Sequence, residues 1–240
     1  MKPVRILVLL VLLCVSVTAQ AQQLSADELF YKLRAKLETV KDYVADVRVK
    51  IDVSYMRVPP LTGKLYFKAP GKMKLERNGG ISIMPKKTMN MAVSNVVPDG
   101  KVTIIDAGME TVNGKQLRAI KVVPSDDGSE IVLTKVWVDE ALLLPIRTET
   151  TTRDNGTIKM ELEYGKYLAQ SLADKITFYM DVKDYKLPKG VTMDYDGATQ
   201  PTKAAQAPDT KRKKGKIQIY YLNYKVNQGL SDEIFKDKDK

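Results

Sequence analysis

Histidine is absent from this chain of 240 residues, and cysteine occurs once, as Cys14. Imidazole and thiolate groups are the commonest protein ligands of zinc and copper, so the usual sites for these metals are excluded. Ser-His-Asp catalysis, Cys-His catalysis and a histidine general base are excluded for the same reason. An enzyme would then have to use carboxylates, lysine, tyrosine or a bound cofactor. We expect a protein that is not an enzyme and has no catalytic residue, metal site or cofactor. Without a disulfide, an ordinary apolar core must stabilise the fold.

Acidic residues are outnumbered, with 39 Lys+Arg against 29 Asp+Glu and a formal net charge of +10. The densest basic run, 211–214, lacks the interleaved aromatic residues on which single-stranded nucleic acids stack. We expect no nucleic-acid partner and a monomeric protein. Two alternatives stay open for this run, a solvated surface loop and attraction to anionic lipid, worth about 1 kcal/mol per basic residue near such a surface.

The N-terminal 21 residues have the pattern of a secretory signal peptide. Lys2 and Arg5 precede an apolar run over 6–17, and Ala19-Gln20-Ala21 offers the small-x-small cleavage pattern. The run is shorter than the roughly 20 residues that cross a bilayer. Cys14 lies inside the run after two leucines, which does not fit a lipidation signal. We expect export to the periplasm, cleavage near Ala21 and Gln22, and a single mature domain over 22–240.

An amphipathic helix is predicted at the start of the mature chain. Ser25 and Glu28 have the spacing of a capping box, in which each side chain bonds a free backbone N–H at the helix start. Apolar residues follow at helical spacing, namely Leu29, Leu33, Leu37 and Val40. These signals predict a helix over 26–41.

Alternation of apolar and polar residues then predicts a series of strands. It is clearest over 43–53, where odd positions are apolar apart from Tyr43 and most even positions are charged. Similar segments are 63–68, 72–77, 116–122, 131–138, 145–151, 157–164, 175–182 and 217–225. Asp154-Asn155-Gly156 predicts a tight hairpin between two of them. Strands joined by short turns favour an α+β fold with a meandering antiparallel sheet of about ten strands, which must curl or close.

Three segments do not show this alternation of apolar and polar residues. Residues 78–98 fit neither period and predict a short helix or a flap, with Met84, Met89 and Met91 on it. Residues 198–216 are rich in Ala, Gln, Pro and Thr before the basic run, which predicts a flexible surface loop. Lys and Asp alternate over 236–240, which predicts a disordered tail.

The stretch from Leu61 to Leu75, LTGKLYFKAPGKMKL, resembles the second and third strands of the bacterial outer-membrane lipoprotein-sorting family, the LolA and LolB carriers. Asp99-Gly100-Lys101 before an apolar strand and Leu187-Pro188-Lys189-Gly190-Val191 follow in family order. The resemblance implies a strongly bent, unclosed antiparallel barrel, with helices over its open side and an apolar cavity for lipoprotein acyl chains. It also implies inner- and outer-membrane sorting partners. Where the family has a lid-latching arginine this chain has Ala69, so no latch residue is assigned.

On this resemblance, acyl chains of lipoproteins or other lipids contact inward-facing side chains of the strands. Methionines suit such an adaptable surface and equally suit ordinary core filling. The hypothetical lining consists of Val47, Val49, Ile51, Leu65, Phe67, Met73, Leu75, Ile104, Val136, Val138, Leu162, Tyr164, Phe178 and Met180. The hypothetical lid consists of Leu29, Leu33, Leu37, Met84, Met89 and Met91. The same residues could form a filled core instead of a hollow one.

Two other functions stay open. The stretches IKVVP at 120–124, VWVD at 136–139 and LPIR at 144–147 resemble the N-terminal domain of RseB-type regulators. That resemblance implies an envelope sensor that binds the periplasmic segment of a membrane protein. The second alternative is an enzyme that acts on envelope polymers through paired carboxylates, and no spacing in the sequence indicates such a pair.

Overall fold

The computed structural model describes residues 24–53, 56–57, 59–77, 100–153, 156–182 and 213–236. These residues form one α-helix, α1, over Ala26–Leu37, and eleven strands. The strands are β1 Asp42–Val53, β2 Met56–Arg57, β3 Leu61–Lys68, β4 Lys72–Arg77, β5 Val102–Val112, β6 Lys115–Pro124, β7 Ile131–Asp139, β8 Leu144–Thr152, β9 Gly156–Glu163, β10 Lys175–Val182 and β11 Lys213–Val226. Two 3₁₀ turns, Leu168–Gln170 and Asp232–Phe235, complete the described elements.

The capping box at the start of α1 is confirmed. The Glu28 backbone N–H donates to Ser25 Oγ at 3.2 Å, and the Ser25 N–H donates to Glu28 Oε2 at 3.0 Å. The helix ends at Leu37, before the predicted end at residue 41. Asn227 explains the early end, because its Oδ1 accepts the N–H of Lys41 at 2.7 Å and holds the chain in the direction of β1.

All of the strands belong to one antiparallel sheet in the order β4-β3-β1-β11-β10-β9-β8-β7-β6-β5, and β2 pairs with the end of β1. The terminal strands β4 and β5 do not pair with each other in the described part of the sheet. The sheet is therefore not closed, and α1 lies against its β5–β7 side. The predicted α+β fold with an unclosed, curved antiparallel sheet is confirmed.

Each segment predicted from alternation is a strand, with small differences in its bounds. The largest difference is a correction to the predicted loop 198–216: β11 begins at Lys213, because Lys213 to Lys216 pair with Val182 to Tyr179 of β10. Alternation does not identify β5, and the structure shows why. A bulge between Asp106 and Met109, with Gly108 at φ +77°, interrupts the two-residue period.

Several predictions fall outside the described residues. These are the signal peptide, the flap over 78–98, the loop up to residue 212 and the tail beyond residue 236. The turn residues Asp154 and Asn155 are also outside, but β8 and β9 pair antiparallel up to Thr152 and Gly156, as the predicted hairpin requires. No helix in the described part of the chain is long and apolar enough to cross a membrane.

Candidate functional site

The inner face of the sheet carries a large apolar cluster, which we call the barrel cluster. Because side chains alternate along a strand, the odd positions of β1 share one face with inward residues of β3, β9, β10 and β11. Its buried members are Val40, Tyr43, Ala45, Val47, Val49, Leu61, Leu65, Ile158, Met160, Leu162, Leu172, Ala173, Ile176, Phe178, Ile217, Ile219 and Tyr221. Five of the hypothetical lining residues are among them.

Five further hypothetical lining residues lie at the margin of the barrel cluster. Ile51, Phe67, Met73, Leu75 and Tyr164 pack against it and are only partly buried. Phe67 faces Met73 across β3 and β4, and its ring stacks on Tyr43 at 5.0 Å between centroids. These partly exposed apolar side chains provide surface that a bound molecule could cover.

A second apolar cluster, the helix cluster, lies under α1. Its buried members are Ala26, Leu29, Phe30, Leu33, Ile120, Val122, Val136 and Val138, with Ile104 and Leu37 partly buried beside them. The structure therefore places Ile104, Val136 and Val138 of the hypothetical lining beneath the helix. They are not in the barrel cluster with the other lining residues.

Threonines of β8 lie between the two clusters. Thr148, Thr150 and Thr152 are buried and alternate along the inner face. Thr148 pairs with Val136 of the helix cluster on one side and with Met160 of the barrel cluster on the other. The buried hydroxyls of Thr134 and Thr150 are 3.3 Å apart and bond each other. This row of hydroxyls explains why the inner face contains two apolar clusters instead of one.

Four tyrosine side chains pack together near the start of β1. Tyr221 stacks on Tyr224 at 5.0 Å between centroids, and Tyr224 meets the ring edges of Tyr43 at 5.1 Å and Tyr167 at 4.9 Å. Burial raises the pKa of Tyr43 and of Tyr221 further above the ordinary value, at which a phenol is already protonated at physiological pH. We call these four residues, together with Phe67, the tyrosine end of the barrel cluster.

The outer face of the sheet carries ion-paired side chains, beside a small apolar cluster of Val112, Leu117, Ala119 and Trp137. The Glu110 carboxylate accepts from Lys135 Nζ at 2.7 Å and from Trp137 Nε1 at 2.8 Å. Glu161 is partly buried, which favours its neutral form, but hydrogen bonds from Lys159 and Arg147 outweigh burial and lower its pKa. Each carboxylate is engaged with cations. In the described part of the chain no three Asp, Glu, His or Cys side chains form a group that could hold a metal ion.

The segment after β11, residues 227–236, ties distant parts of the sheet together, and we call it the C-terminal clasp. The buried Asp42 carboxylate accepts three of its backbone N–H groups, from Gln228 at 2.7 Å, Gly229 at 2.9 Å and Leu230 at 3.2 Å. Lys68 Nζ donates to the Leu230 carbonyl at 2.8 Å. The clasp therefore connects the start of β1 to the β3–β4 edge of the sheet.

The same edge contains Ala69, where the resembling family has its latch. The Ala69 N–H donates to the Lys41 carbonyl at 2.8 Å. Next to it, Lys68 and Lys72 contact the Asp232 carboxylate of the clasp at 2.7 and 3.0 Å. These ion pairs connect the β3–β4 edge beside Ala69 to the clasp.

Several inner-face residues were not identified from the sequence. Ile217, Ile219 and Tyr221 alternate along β11 and could have been assigned to the lining from that alternation alone. The β8 threonines gave no such signal, because threonine suits either face of a strand. Of the remaining sequence-based assignments, Met84, Met89 and Met91 and the side chain of Met180 lie outside the described residues.

No protein-family model and no curated protein matches the sequence. Solved structures do match, each at low sequence identity. An outer membrane lipoprotein-sorting protein domain from Vibrio parahaemolyticus has a TM-score of 0.54 and 12% identity, over 88% of this chain and 97% of that one. A LolA superfamily protein from Nitrosomonas europaea has a TM-score of 0.53 and 10% identity, over 90% and 99%.

A DUF1329 family protein from Desulfovibrio piger also matches, with a TM-score of 0.53 and 14% identity over 87% of this chain and 94% of that one. Each of these three matches covers nearly the whole length of the solved structure, so the similarity concerns the complete sheet with its helix and not one hairpin. At these identities the comparison speaks for the fold. The fold that the sequence resemblance implied is confirmed: this chain is similar in fold to a LolA superfamily protein and to an outer membrane lipoprotein-sorting protein domain.

Proposed function

We propose that the protein is a non-enzymatic carrier of the periplasm, which binds the acyl chains of lipoproteins or other lipids on the inner face of its sheet during outer-membrane sorting. The observation that carries this proposal is the barrel cluster, an apolar surface shared by five strands and bordered by partly exposed apolar residues. The similarity in fold to a lipoprotein-sorting protein domain supports it.

The physical requirement on such a carrier is a large apolar surface. Each buried methylene is worth about 0.8 kcal/mol, so a lipoprotein with long acyl chains resists leaving a membrane by tens of kcal/mol. A carrier has to offer comparable apolar contact and release its cargo later. Partly buried Ile51, Phe67, Met73 and Leu75 meet this requirement better than a few polar anchors would, and the flexible thioether of Met73 can adapt to different chains.

The helix cluster defines where the chains would bind. Leu29, Phe30 and Leu33 are 0% exposed, and burial of each such side chain is worth about 1.5–3 kcal/mol. Separating α1 from β5–β7 would therefore cost roughly 5–9 kcal/mol in lost burial. In our proposal α1 is a fixed cover on one side of the inner face, and acyl chains occupy the other side, over β1, β3 and β4.

The test is to place a charge on the proposed binding surface. Phe67→Asp should abolish uptake of a fluorescent acyl probe, because a carboxylate among apolar side chains excludes the chain or is itself left unpaired. Tyr66→Asp is the matched control, since the same carboxylate then lies on the opposite face of β3, beside Lys74 in register. Equal uptake by the two variants, with folding checked by circular dichroism, would remove the β3 surface from the proposed site.

A further inference from the structure

Within the described part of the sheet, three cations without a carboxylate partner lie together on the outer face of β1 and β11. Arg48 and Lys50 are successive outward residues of β1 and are exposed. Lys216 of β11 is diagonal to Lys50 across the pair of strands. Among the described residues no carboxylate forms an ion pair with any of the three, not even Asp52, which is in register with Lys216. Their charges are therefore available to an anion from outside the protein.

An aromatic ring lies among these cations. Tyr220 of β11 is in register with Arg48 and is half-buried. The Nζ atoms of Lys50 and Lys175 lie 5.3 and 5.6 Å from the centre of its ring. Lys175 is paired with Glu163 at 2.6 Å, so it adds no unpaired charge. Tyrosine is enriched at the boundary between a bilayer and water, because its body is apolar and its tip is polar. A tyrosine in this position therefore suits contact with lipid head groups.

A bulge in β11 exposes a leucine close to this ring. Tyr221 and Asn223 are in register with neighbouring residues of β1, so Leu222 between them is the extra residue of the bulge. Leu222 is 49% exposed, whereas Tyr221 before it is buried. A single exposed leucine is common on protein surfaces. Here it lies two residues from Tyr220, so cations, an aromatic ring and an exposed apolar side chain occur on one surface.

We propose that this surface docks the protein on an anionic phospholipid membrane. We call it the docking face, and it consists of Arg48, Lys50, Lys175, Lys216, Tyr220 and Leu222. The unpaired cations contact lipid phosphates, and Leu222 is buried at the boundary with the acyl chains. The inference goes beyond the proposed function and does not rest on it, because the docking face and the barrel cluster lie on opposite faces of the sheet.

A nucleic acid or another polyanion is the competing partner for unpaired cations. Bases bind such surfaces by stacking on aromatic rings, but two lysines already lie over the ring of Tyr220. A phosphate backbone offers Leu222 no apolar contact, whereas a bilayer does. The combination of unpaired charge with an exposed apolar side chain therefore favours a membrane.

Cosedimentation with phosphatidylglycerol vesicles tests the charges, with phosphatidylcholine vesicles as the neutral reference. A basic residue near an anionic surface is worth about fivefold in binding, the equivalent of about 1 kcal/mol. We expect the double variant Lys50→Gln and Lys216→Gln to bind phosphatidylglycerol vesicles about twentyfold more weakly than the wild type. The basic run 211–214 is intact in this variant, so the loss reports on the docking face.

The matched control is the double variant Lys32→Gln and Lys101→Gln. It removes the same net charge from exposed lysines on α1 and before β5. This variant should bind nearly as the wild type does, because exposed charges away from the contact are screened. Circular dichroism checks that each variant is folded.

Leu222→Ser tests the apolar contact. We expect it to weaken vesicle binding about three- to tenfold, because a half-exposed leucine gains about half of what full burial of its side chain is worth. Unchanged vesicle binding by either this variant or the Lys50 and Lys216 variant would overturn the inference and leave a solvated surface. Tighter binding of a single-stranded oligonucleotide than of vesicles, insensitive to Leu222→Ser, would overturn it in favour of a polyanion.

A further variant separates this inference from the carrier proposal. Phe67→Asp changes the inner face and should bind vesicles as the wild type does, whether or not it takes up an acyl probe. Loss of vesicle binding in Phe67→Asp would overturn the docking face, because the contact would then be made by the inner face. Failure of the wild type to take up an acyl probe, with vesicle binding retained, would remove the carrier proposal and support the docking face alone.

Discussion

Removal of the Asp42 carboxylate should detach the C-terminal clasp. Asp42 is 4% exposed, and its carboxylate accepts three backbone N–H groups from Gln228, Gly229 and Leu230. In Asp42→Ala these donors lose their acceptor, and the residues that connect β11 to the β3–β4 edge lose their fixed path. We expect lower stability for the whole sheet, because the clasp continues from β11, an interior strand that pairs with both β1 and β10.

The expected loss follows from the three hydrogen bonds. A hydrogen bond to a charged group contributes about 1.5–3 kcal/mol. Gln228 and Gly229 are exposed, so their freed N–H groups can bond to water, and the loss falls below the sum of three bonds. We expect Asp42→Ala to lower the free energy of unfolding by about 2–4 kcal/mol. Asp42→Asn keeps an acceptor oxygen without the charge and should cost about 1–2 kcal/mol.

Urea unfolding, followed by Trp137 fluorescence and circular dichroism, measures these losses as shifts of the midpoint at constant slope. Asp46→Ala is the matched control: it removes a carboxylate from the same strand and face, but one that is 38% exposed and accepts from the side chains of Lys64 and Asn223. Such an exposed pair is worth less than about 1 kcal/mol. Our account of the clasp is refuted if Asp42→Ala is no less stable than Asp46→Ala.

Two further predictions concern α1 and the clasp. Leu33→Ala should lower the free energy of unfolding by about 2–5 kcal/mol, because it leaves a cavity under a fully buried side chain, while exposed Lys32→Ala should change it by less than about 0.5 kcal/mol in the same urea assay. Hydrogen bonds from Lys68 and Lys72 lower the pKa of Asp232 from its ordinary 3.8 to about 2. Because the pKa is lowered when the clasp is attached, the Asp232 carboxylate stabilises the attached clasp at pH values above its ordinary pKa of 3.8. That contribution is lost as the pH falls through about 2. Hydrogen exchange at 230–236 should therefore show faster opening as pH falls across this range, after correction for the intrinsic rates. Asp232→Asn should open equally at every pH, and a pH dependence retained in this variant would assign the effect to another group.

Much of the fold could be predicted from the sequence, because local signals and the burial pattern agree. The capping box at Ser25 and Glu28 fixes the start of α1, and the alternation in β1 predicts both the strand and its inner face. Where a contact between distant residues sets the end of a helix or strand, the sequence has no local signal for it. The early end of α1 depends on Asn227, nearly two hundred residues away, and the start of β11 depends on pairing with β10.

The candidate site was harder to predict than the fold. Alternation identifies which side chains face inward, as for Val47 and Phe178, but it does not say which of them meet. The separation of Val136 from Val47 depends on the position of α1 and on the buried threonines of β8, neither of which has a local signature.

The measurement that tests the carrier proposal most directly is native mass spectrometry of protein exported to a bacterial periplasm and purified without detergent, with lipid extraction of the same sample. The account predicts an added mass that the extract identifies as an acylated peptide or a phospholipid. A ligand-free mass, together with failure to take up an added acyl probe, would contradict it and show that the inner face is a filled core.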